Sequence, residues 1–147
     1  MSRGNPTDVF PPEGFILAEG TDPAEDLIGP FYMKRYMKRE GEHCATGLIT
    51  GERHTNKMGT VHGGVLMTFA DYTLCAVGKT GSDDESIVTV SLTTDFVRAA
   101  PAGGWLSGEA SISRRTRSLV FVQGRLCHDG SVVMTFSGIG KRIPGEG

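Results

Sequence analysis

The longest apolar run in the sequence predicts a central helix. From Gly63 to Val77 nearly every residue is apolar, and the run closes at Gly78. It is too long for a typical strand, and a helix that is apolar on every side is expected to be buried all round. The predicted helix covers about residues 62–78.

The C-terminal half of the chain has the pattern of antiparallel strands. Apolar and polar residues alternate from Val88 to Phe96, which is the two-residue period of a strand with one covered face. The residues expected on that face are Val88, Val90, Leu92, Thr94 and Phe96. Further strands are expected over Trp105–Ser113 and Ser118–His128. Asp129-Gly130 then predicts a two-residue hairpin turn into a last strand, which completes a meander of about four strands.

The N-terminal segment is predicted to be less regular. Five of the seven prolines fall within residues 1–30, which we expect to lie over the surface of the domain. Asp22 as a cap, Pro23 at the first helical position and Glu25 reaching back to the cap predict one short helix there, which ends at Gly29-Pro30.

The remaining elements complete one α+β domain. Phe31–Glu40 and His43–Thr50 are expected to be two strands joined through Gly41-Glu42. Helices on one face of an antiparallel sheet form an α+β architecture, and a sheet wrapped around the long helix would bury that helix. Since 147 residues suffice for one core, we expect a single domain over residues 31–142 and a tail at residues 143–147.

The composition narrows the classes of function. Hydrophobic residues make up 38% of the chain and charged residues 22%, and a net charge of -2 gives no reason to expect nucleic acid as a partner. Three scattered cysteines and four histidines have no metal-ligand spacing, so neither a metal nor a redox pair is expected. Eighteen apolar residues never follow one another, so we expect no membrane association and a cytoplasmic location.

Asp71 is the most informative residue in the sequence. It lies two turns into the predicted helix, next to Ala70 and Tyr72. An unpaired carboxylate among apolar neighbours costs several kcal/mol, so something must compensate for its burial. One possibility is structural, with Asp71 paired to an arginine or facing water. The other is functional, with Asp71 as a nucleophile or general base in a dry site.

A second candidate feature is the segment Thr60-Val61-His62-Gly63-Gly64 at the start of the same helix. Two glycines leave backbone N–H groups accessible, and a helix N-terminus carries a partial positive charge of roughly half a unit. A developing oxyanion would be stabilised there. The alternative is that the two glycines permit close packing against the sheet.

The spacing of these two features predicts a dimer. Gly64 and Asp71 are seven residues apart, which is roughly 10 Å along a helix axis. Within one chain the carboxylate therefore does not easily reach a carbonyl group held at the helix tip. Two copies with antiparallel helices would place each Asp71 near the partner's helix tip, which gives two shared sites by two-fold symmetry.

The motif that carries these residues resembles that of hotdog-fold acyl-CoA thioesterases, in particular the phenylacetyl-CoA thioesterase-like branch of the 4-hydroxybenzoyl-CoA thioesterase superfamily. The matching residues are Asn56, Gly59, His62-Gly63-Gly64 and Ala70-Asp71. The similarity extends roughly from Asp26 to Lys141. The resemblance implies a sheet wrapped around a central helix, a homodimer with one continuous sheet, often a dimer of dimers, and hydrolysis of a coenzyme A thioester.

The resemblance also implies roles for individual residues. Asn56 would orient the substrate carbonyl or the attacking water, and the Gly64 N–H would polarise the thioester oxygen. Asp71 would attack the carbonyl or activate a water held by Thr89, where the family often has serine. The family commonly has proline directly after the arginine that follows this strand, whereas this chain delays it to Pro101.

Further residues are expected to bind substrate. His62 and Gly63 lie at the helix tip. Arg98 and Arg117 are expected to bind the phosphates of coenzyme A, since guanidinium groups suit phosphate. The other basic candidates are Arg114, Arg115, Lys141 and Arg142.

We therefore expect a metal-free thioesterase for a medium-chain or aromatic acyl-CoA, with coenzyme A only as part of the substrate. Two alternatives remain open on the sequence. A hotdog-fold hydratase or dehydratase would use His62 with Asp71 as an acid/base pair. A non-catalytic acyl-CoA-binding protein would keep the pocket without needing the carboxylate.

Overall fold

One long helix lies against a seven-stranded antiparallel sheet in the computed structural model, which describes residues 9–82 and 84–145. The elements are β1 Ile16–Leu17, α1 Pro23–Ile28, β2 Phe31–Lys38, β3 Gly41–Ile49, a one-turn 3₁₀ helix Glu52–His54, α2 Gly63–Gly78, β4 Ser86–Phe96, β5 Trp105–Arg115, β6 Leu119–His128 and β7 Ser131–Ile143. Expectations for residues 1–8 and 146–147 lie outside the described residues.

The sheet has the order β1-β2-β3-β5-β6-β7-β4 and all its pairs are antiparallel. Strands β3 to β7 all contact α2, so the sheet wraps around the helix. The predicted α+β architecture is confirmed. Phe69 and Leu74 of α2 belong to the same core as Leu48, Leu106 and Leu126 of the sheet, and all five side chains are fully buried.

Helix α2 has the predicted position but not the predicted burial. It begins after the cap His62 and ends at Gly78, and nine of its sixteen residues are buried. The expectation of burial on all sides is wrong for one side, because the sheet covers only part of the helix circumference. The partly exposed side holds Gly64, Met67, Thr68, Asp71 and Cys75. Of the helices in the described ranges, none is both long and apolar enough to span a membrane.

The short helix α1 forms as the sequence predicts. The backbone N–H of Glu25 donates to Asp22 Oδ1 at 2.8 Å, and the backbone N–H of Asp22 donates to Glu25 Oε1 at 3.0 Å. Together with Pro23 in the first turn, this reciprocal capping box fixes the start of the helix.

The two predicted hairpins differ in outcome. The turn between β6 and β7 is confirmed at Asp129 and Gly130, whose φ angles of 45° and 88° fit a two-residue hairpin turn. The turn between β2 and β3 is at Arg39-Glu40 and not at the predicted Gly41-Glu42, because Lys38 pairs with Gly41 and β3 begins there.

Strand β4 departs from the prediction in two ways. An irregularity in its pairing between Thr89 and Ser91 breaks the alternation, so Thr89 turns inward while Val88 and Val90 are 51% and 61% exposed. The predicted covered face is therefore wrong for those two valines, and Phe96, at the end of the strand, is also 57% exposed. Strand β4 also pairs with β7 rather than continuing the meander into β5. The connection from β4 to β5, residues 97–104, passes the segment just before the N-terminal end of α2. There the Val61 N–H donates to the Ala100 carbonyl at 2.8 Å.

Candidate active site

A cleft of about 430 Å³ opens along the partly exposed side of α2. Asp71, Tyr72 and Cys75 of α2 form its floor, β2 and β3 line one side, and β4 lines the other. The N-terminal turn of α1 also lines it. The cleft thus lies where the wrapped sheet leaves the helix uncovered.

The structure brings two of the predicted catalytic residues together in this cleft. Thr89 Oγ1 donates a hydrogen bond to Asp71 Oδ1 at 2.5 Å. The irregular pairing of β4 makes this contact possible, because it turns Thr89 toward α2. Asp71 is partly exposed in the cleft rather than fully buried. In the single chain its carboxylate therefore needs no opposite charge to offset the cost of burial.

Cys75 lies one helical turn after Asp71 and contacts the same threonine. Its Sγ lies 3.6 Å from Thr89 Oγ1 and donates to the Ile87 carbonyl at 3.7 Å. Burial raises the pKa of the Cys75 thiol to about 11, with a further contribution from Asp71 and an opposing one from the Thr89 hydrogen bond. Since the thiolate is the reactive form, this raised pKa disfavours Cys75 as a nucleophile.

The tip of α2 is closed by its own cap. The Gly64 N–H donates to His62 Nδ1 at 2.8 Å, so the N–H expected to polarise a thioester is occupied by the imidazole. His62 is exposed, and rotation of its side chain would release that N–H. A Cβ at Gly63 would lie 3.3 Å from the ring of Phe96, a tight contact that a small shift of this exposed ring would relieve.

Asn56 organises the loop in front of α2. Its Oδ1 accepts from the backbone N–H groups of Met58 and Thr60 at 2.9 and 3.2 Å, and its Nδ2 donates to Thr60 Oγ1 at 2.9 Å. Neither Asn56 nor the helix-tip residues line the cleft that holds Asp71. One chain therefore contains two separate groups of predicted site residues, Asp71 with Thr89 and Asn56 with the helix tip.

The two arginines that are expected to bind phosphate lie far apart in one chain. Arg98 follows the C-terminal end of β4, while Arg117 lies in the turn before β6, near the end of the sheet where β4 begins. Both are exposed. Two other candidates have structural partners, since Arg115 donates to the Gly78 carbonyl and Arg142 pairs with Glu85.

Glu25 is a residue of the cleft that sequence reasoning assigned only to helix capping. Burial is the main cause that raises the pKa of its carboxyl group, the backbone hydrogen bond at Asp22 opposes it, and the nearby negative charges of Asp22 and Asp71 raise it further. No sequence signal places α1 beside α2, because the two helices are more than thirty residues apart in the chain.

Known proteins are similar to this chain in both sequence and fold. A protein of Pseudomonas aeruginosa named "Putative esterase PA0474" is 33% identical over 129 residues, which cover 87% of this chain and 94% of that protein. A phenylacetic acid degradation-related protein of Ralstonia eutropha JMP134 is 28% identical with a TM-score of 0.70, covering 84% of this chain and 93% of that one. The BH2602 protein of Bacillus halodurans, solved with CoA, is 26% identical with a TM-score of 0.62, covering 67% and 66%.

A single antiparallel sheet wrapped around one long helix defines a hotdog-fold protein, and this chain has that fold. The family model of the thioesterase superfamily matches residues 58–135, and the chain belongs to that superfamily. It is a thioester hydrolase. The sequence leaves open a thioesterase, a hydratase or dehydratase, and a non-catalytic binding protein. Membership of this superfamily favours the thioesterase.

Proposed function

We propose that this protein hydrolyses medium-chain or aromatic acyl-CoA thioesters to the free acid and coenzyme A, at a site built from two subunits. The observation that carries the proposal is the hydrogen bond from Thr89 to Asp71 at the floor of the cleft. The cleft wall also has an apolar part, formed by Met33, Tyr72, Ala76 and Ile87, which suits a hydrocarbon or aromatic acyl group. The similarity to a phenylacetic acid degradation-related protein supports the aromatic option.

Asp71 supplies the chemistry in this proposal. Its carboxylate either removes a proton from water as the water attacks the thioester carbonyl, or attacks the carbonyl itself to give an anhydride that water then opens. The C–S bond breaks, the coenzyme A thiolate takes up a proton, and the acyl group leaves as a carboxylic acid. Thr89 keeps one carboxylate oxygen oriented, so that the other is directed to the water or the carbonyl.

The helix tip stabilises the negative charge on the carbonyl oxygen. For this the substrate oxygen replaces His62 Nδ1 as the acceptor for the Gly64 N–H, and His62 then lies against the substrate. Asn56 holds the loop that presents this tip. The proposed reaction uses no metal ion and no separate cofactor.

A homodimer joins the two groups of residues. The partly exposed stripe of α2 includes Met67 and Cys75, and the edge strand β4 exposes Val88 and Val90, so apolar side chains are left for a second copy to cover. Antiparallel packing of two α2 helices would set Asp71 of each chain against the helix tip of the other. Pairing of two such dimers is the further expectation from the family, and a cytoplasmic location is proposed with it.

The dimer also brings the basic residues closer together. Arg98 lies near the N-terminal end of α2, and Arg117 lies near its C-terminal end. Antiparallel helices would therefore bring Arg98 of one chain toward Arg117 of the other. We propose that one or both bind the phosphates of coenzyme A, as Arg side chains suit phosphate groups.

Release of free thiol tests this function. Purified protein is incubated with a panel of acyl-CoA thioesters, and the thiol is measured with a chromogenic disulfide. Asp71→Asn is expected to lower kcat by about 10²- to 10⁴-fold with a small change in KM, because it removes the basic group and almost no volume.

Asp95→Asn is the matched control, since Asp95 is an exposed aspartate on β4 that does not line the cleft. It should keep wild-type turnover. Absence of thiol release with every thioester, or full activity of Asp71→Asn, would contradict the proposal.

A further inference from the structure

Helix α1 forms a fixed wall of the acyl cleft. Its cap Asp22 and its residue Glu25 both line the cleft, and the helix packs against α2. The guanidinium group of Arg53 donates to the carbonyl oxygens of Leu27, Ile28 and Gly29 at the C-terminal end of α1. The loop before α2 thus holds α1 in position.

The side chain of Glu25 is fixed on this wall. Its Oε1 accepts the Asp22 N–H at 3.0 Å, while its backbone N–H donates to the Asp22 carboxylate at 2.8 Å. Glu25 is half-buried, and burial raises the pKa of its carboxyl group. The negative charge of Asp71 adds to the raised pKa of Glu25, and Glu25 adds to the effect of burial that raises the pKa of Tyr72 and Cys75, so Glu25 lies close to the cleft floor.

Negative charge predominates around the cleft. The acidic residues that line it are Glu19, Asp22, Glu25, Glu42 and Asp71. The basic residues that line it are Arg35 and Lys79, and Arg35 Nη1 lies 3.6 Å from Glu42 Oε1. An anion that enters the cleft therefore meets more like charges than opposite ones.

We propose that Glu25 makes the acyl cleft selective by charge, so that thioesters with a neutral distal end of the acyl chain are hydrolysed and those ending in a carboxylate are rejected. This inference rests on the proposed function, because it takes the acyl chain to lie in the cleft beside Asp71. The physical reason is that a terminal carboxylate would approach a fixed, half-buried carboxylate, and the two like charges repel each other.

Three thioesters of nearly equal length test the charge selectivity in the wild-type protein. Heptanoyl-CoA has a neutral end, adipoyl-CoA a carboxylate and 6-aminohexanoyl-CoA an ammonium group. We expect kcat/KM for adipoyl-CoA to be about 100-fold below heptanoyl-CoA and about tenfold or more below 6-aminohexanoyl-CoA. A cleft that merely disfavours charge would reject both charged ends equally, and that result would overturn the proposal.

The variant Glu25→Gln assigns the effect to one residue. Glutamine also serves in a capping box, so α1 keeps its cap while the charge is lost. The preference for heptanoyl-CoA over adipoyl-CoA should fall by about tenfold, and the larger part of the change should be faster hydrolysis of adipoyl-CoA. An unchanged preference would overturn the proposal.

Asp26→Asn is the control within the same helix. Asp26 is exposed, accepts a hydrogen bond from Thr21 and does not line the cleft, so its replacement should leave the preference as in the wild type. Failure of the two hypotheses is distinguishable. If no thioester releases thiol, the proposed function is wrong; if heptanoyl-CoA and adipoyl-CoA are hydrolysed equally well, only the charge selectivity is wrong.

Discussion

At the scale of single residues, the contact between Thr89 and Asp71 is the most consequential. Thr89 donates to one carboxylate oxygen, and a threonine hydroxyl has only one hydrogen to donate. The hydroxyl therefore orients the carboxylate, and any water near it would have to donate to Thr89 or to Asp71. The expectation that Thr89 holds the water stays a prediction, in which the hydroxyl accepts a hydrogen bond from that water.

Thr89→Val tests this role. Loss of a hydrogen bond to a charged group costs about 1.5–3 kcal/mol, so kcat should fall by about 10- to 100-fold while KM changes little. Thr89→Ser restores the hydroxyl and should recover most of the turnover. Thr93→Val, on the exposed face of the same strand, should be neutral. Equal turnover of the serine and valine variants would show that the hydroxyl is not needed.

At the scale of elements, the loop between β3 and α2 connects the two parts of the site. It carries Asn56, and the adjoining 3₁₀ helix carries Arg53 and His54, which bind the end of α1. His54 Nδ1 accepts the Gly51 N–H, so Nε2 carries the proton and donates to the Ile28 carbonyl at 2.7 Å. The buried imidazole thus ties the cleft wall to the loop in front of the helix tip.

The burial of His54 predicts a dependence of stability on pH, and its hydrogen bond to the Ile28 carbonyl opposes that dependence in part. Burial lowers the pKa of His54 below its ordinary value of 6.5, with the charge of Arg53 acting in the same direction. Below about pH 6.5 the unfolded state binds a proton that the folded state excludes, so the free energy of unfolding falls as pH falls, by at most about 1.4 kcal/mol per pH unit.

Denaturant unfolding at pH 7.5, 6.5 and 5.5 measures the effect. His54→Gln keeps a donor for the Ile28 carbonyl but does not titrate, so its stability should decline less steeply over this range than that of the wild type. Parallel curves for the two proteins would mean that His54 contributes nothing to the pH dependence.

At the scale of the whole molecule, the proposed active site needs a second chain. Asp71 and Thr89 lie in the cleft, whereas Asn56, His62 and Gly64 lie around the helix tip, outside it. Strand β4 forms one edge of the sheet and exposes Val90, which is a suitable surface for a partner. A dimer formed through this strand would cover Val90 and would bring the cleft of each chain to the helix tip of the other.

Mixing two inactive variants tests the shared site. Asp71→Asn and Asn56→Ala are each expected to be impaired as homodimers. After they are unfolded together and refolded, half of the dimers are mixed, and each mixed dimer has one site free of substitutions. Activity should return to about a quarter of the wild-type level. If each site lies within one chain, mixing restores nothing.

Sedimentation of the two variants and of the mixture provides the control, since all three should be dimers or larger. A wild-type monomer with full activity would contradict the shared site directly.

The sequence by itself determined the features that depend on near neighbours along the chain. The apolar run fixed α2, the Asp22-Pro23-Ala24-Glu25 segment fixed α1, and Asp129-Gly130 fixed the last hairpin. Each is governed by backbone preferences and hydrogen bonds over a few residues, so the pattern is sufficient. The family motif around Asp71 belongs to the same local segment.

Only the tertiary structure decided which distant residues meet. The irregular pairing of β4 with β7 turned Thr89 toward Asp71, although strict alternation predicted the opposite face. The packing of α1 on α2 placed Glu25 in the cleft, and the limited cover of the sheet left one side of α2 exposed. These outcomes depend on free energies of packing between elements tens of residues apart, which a local pattern of polar and apolar residues does not encode.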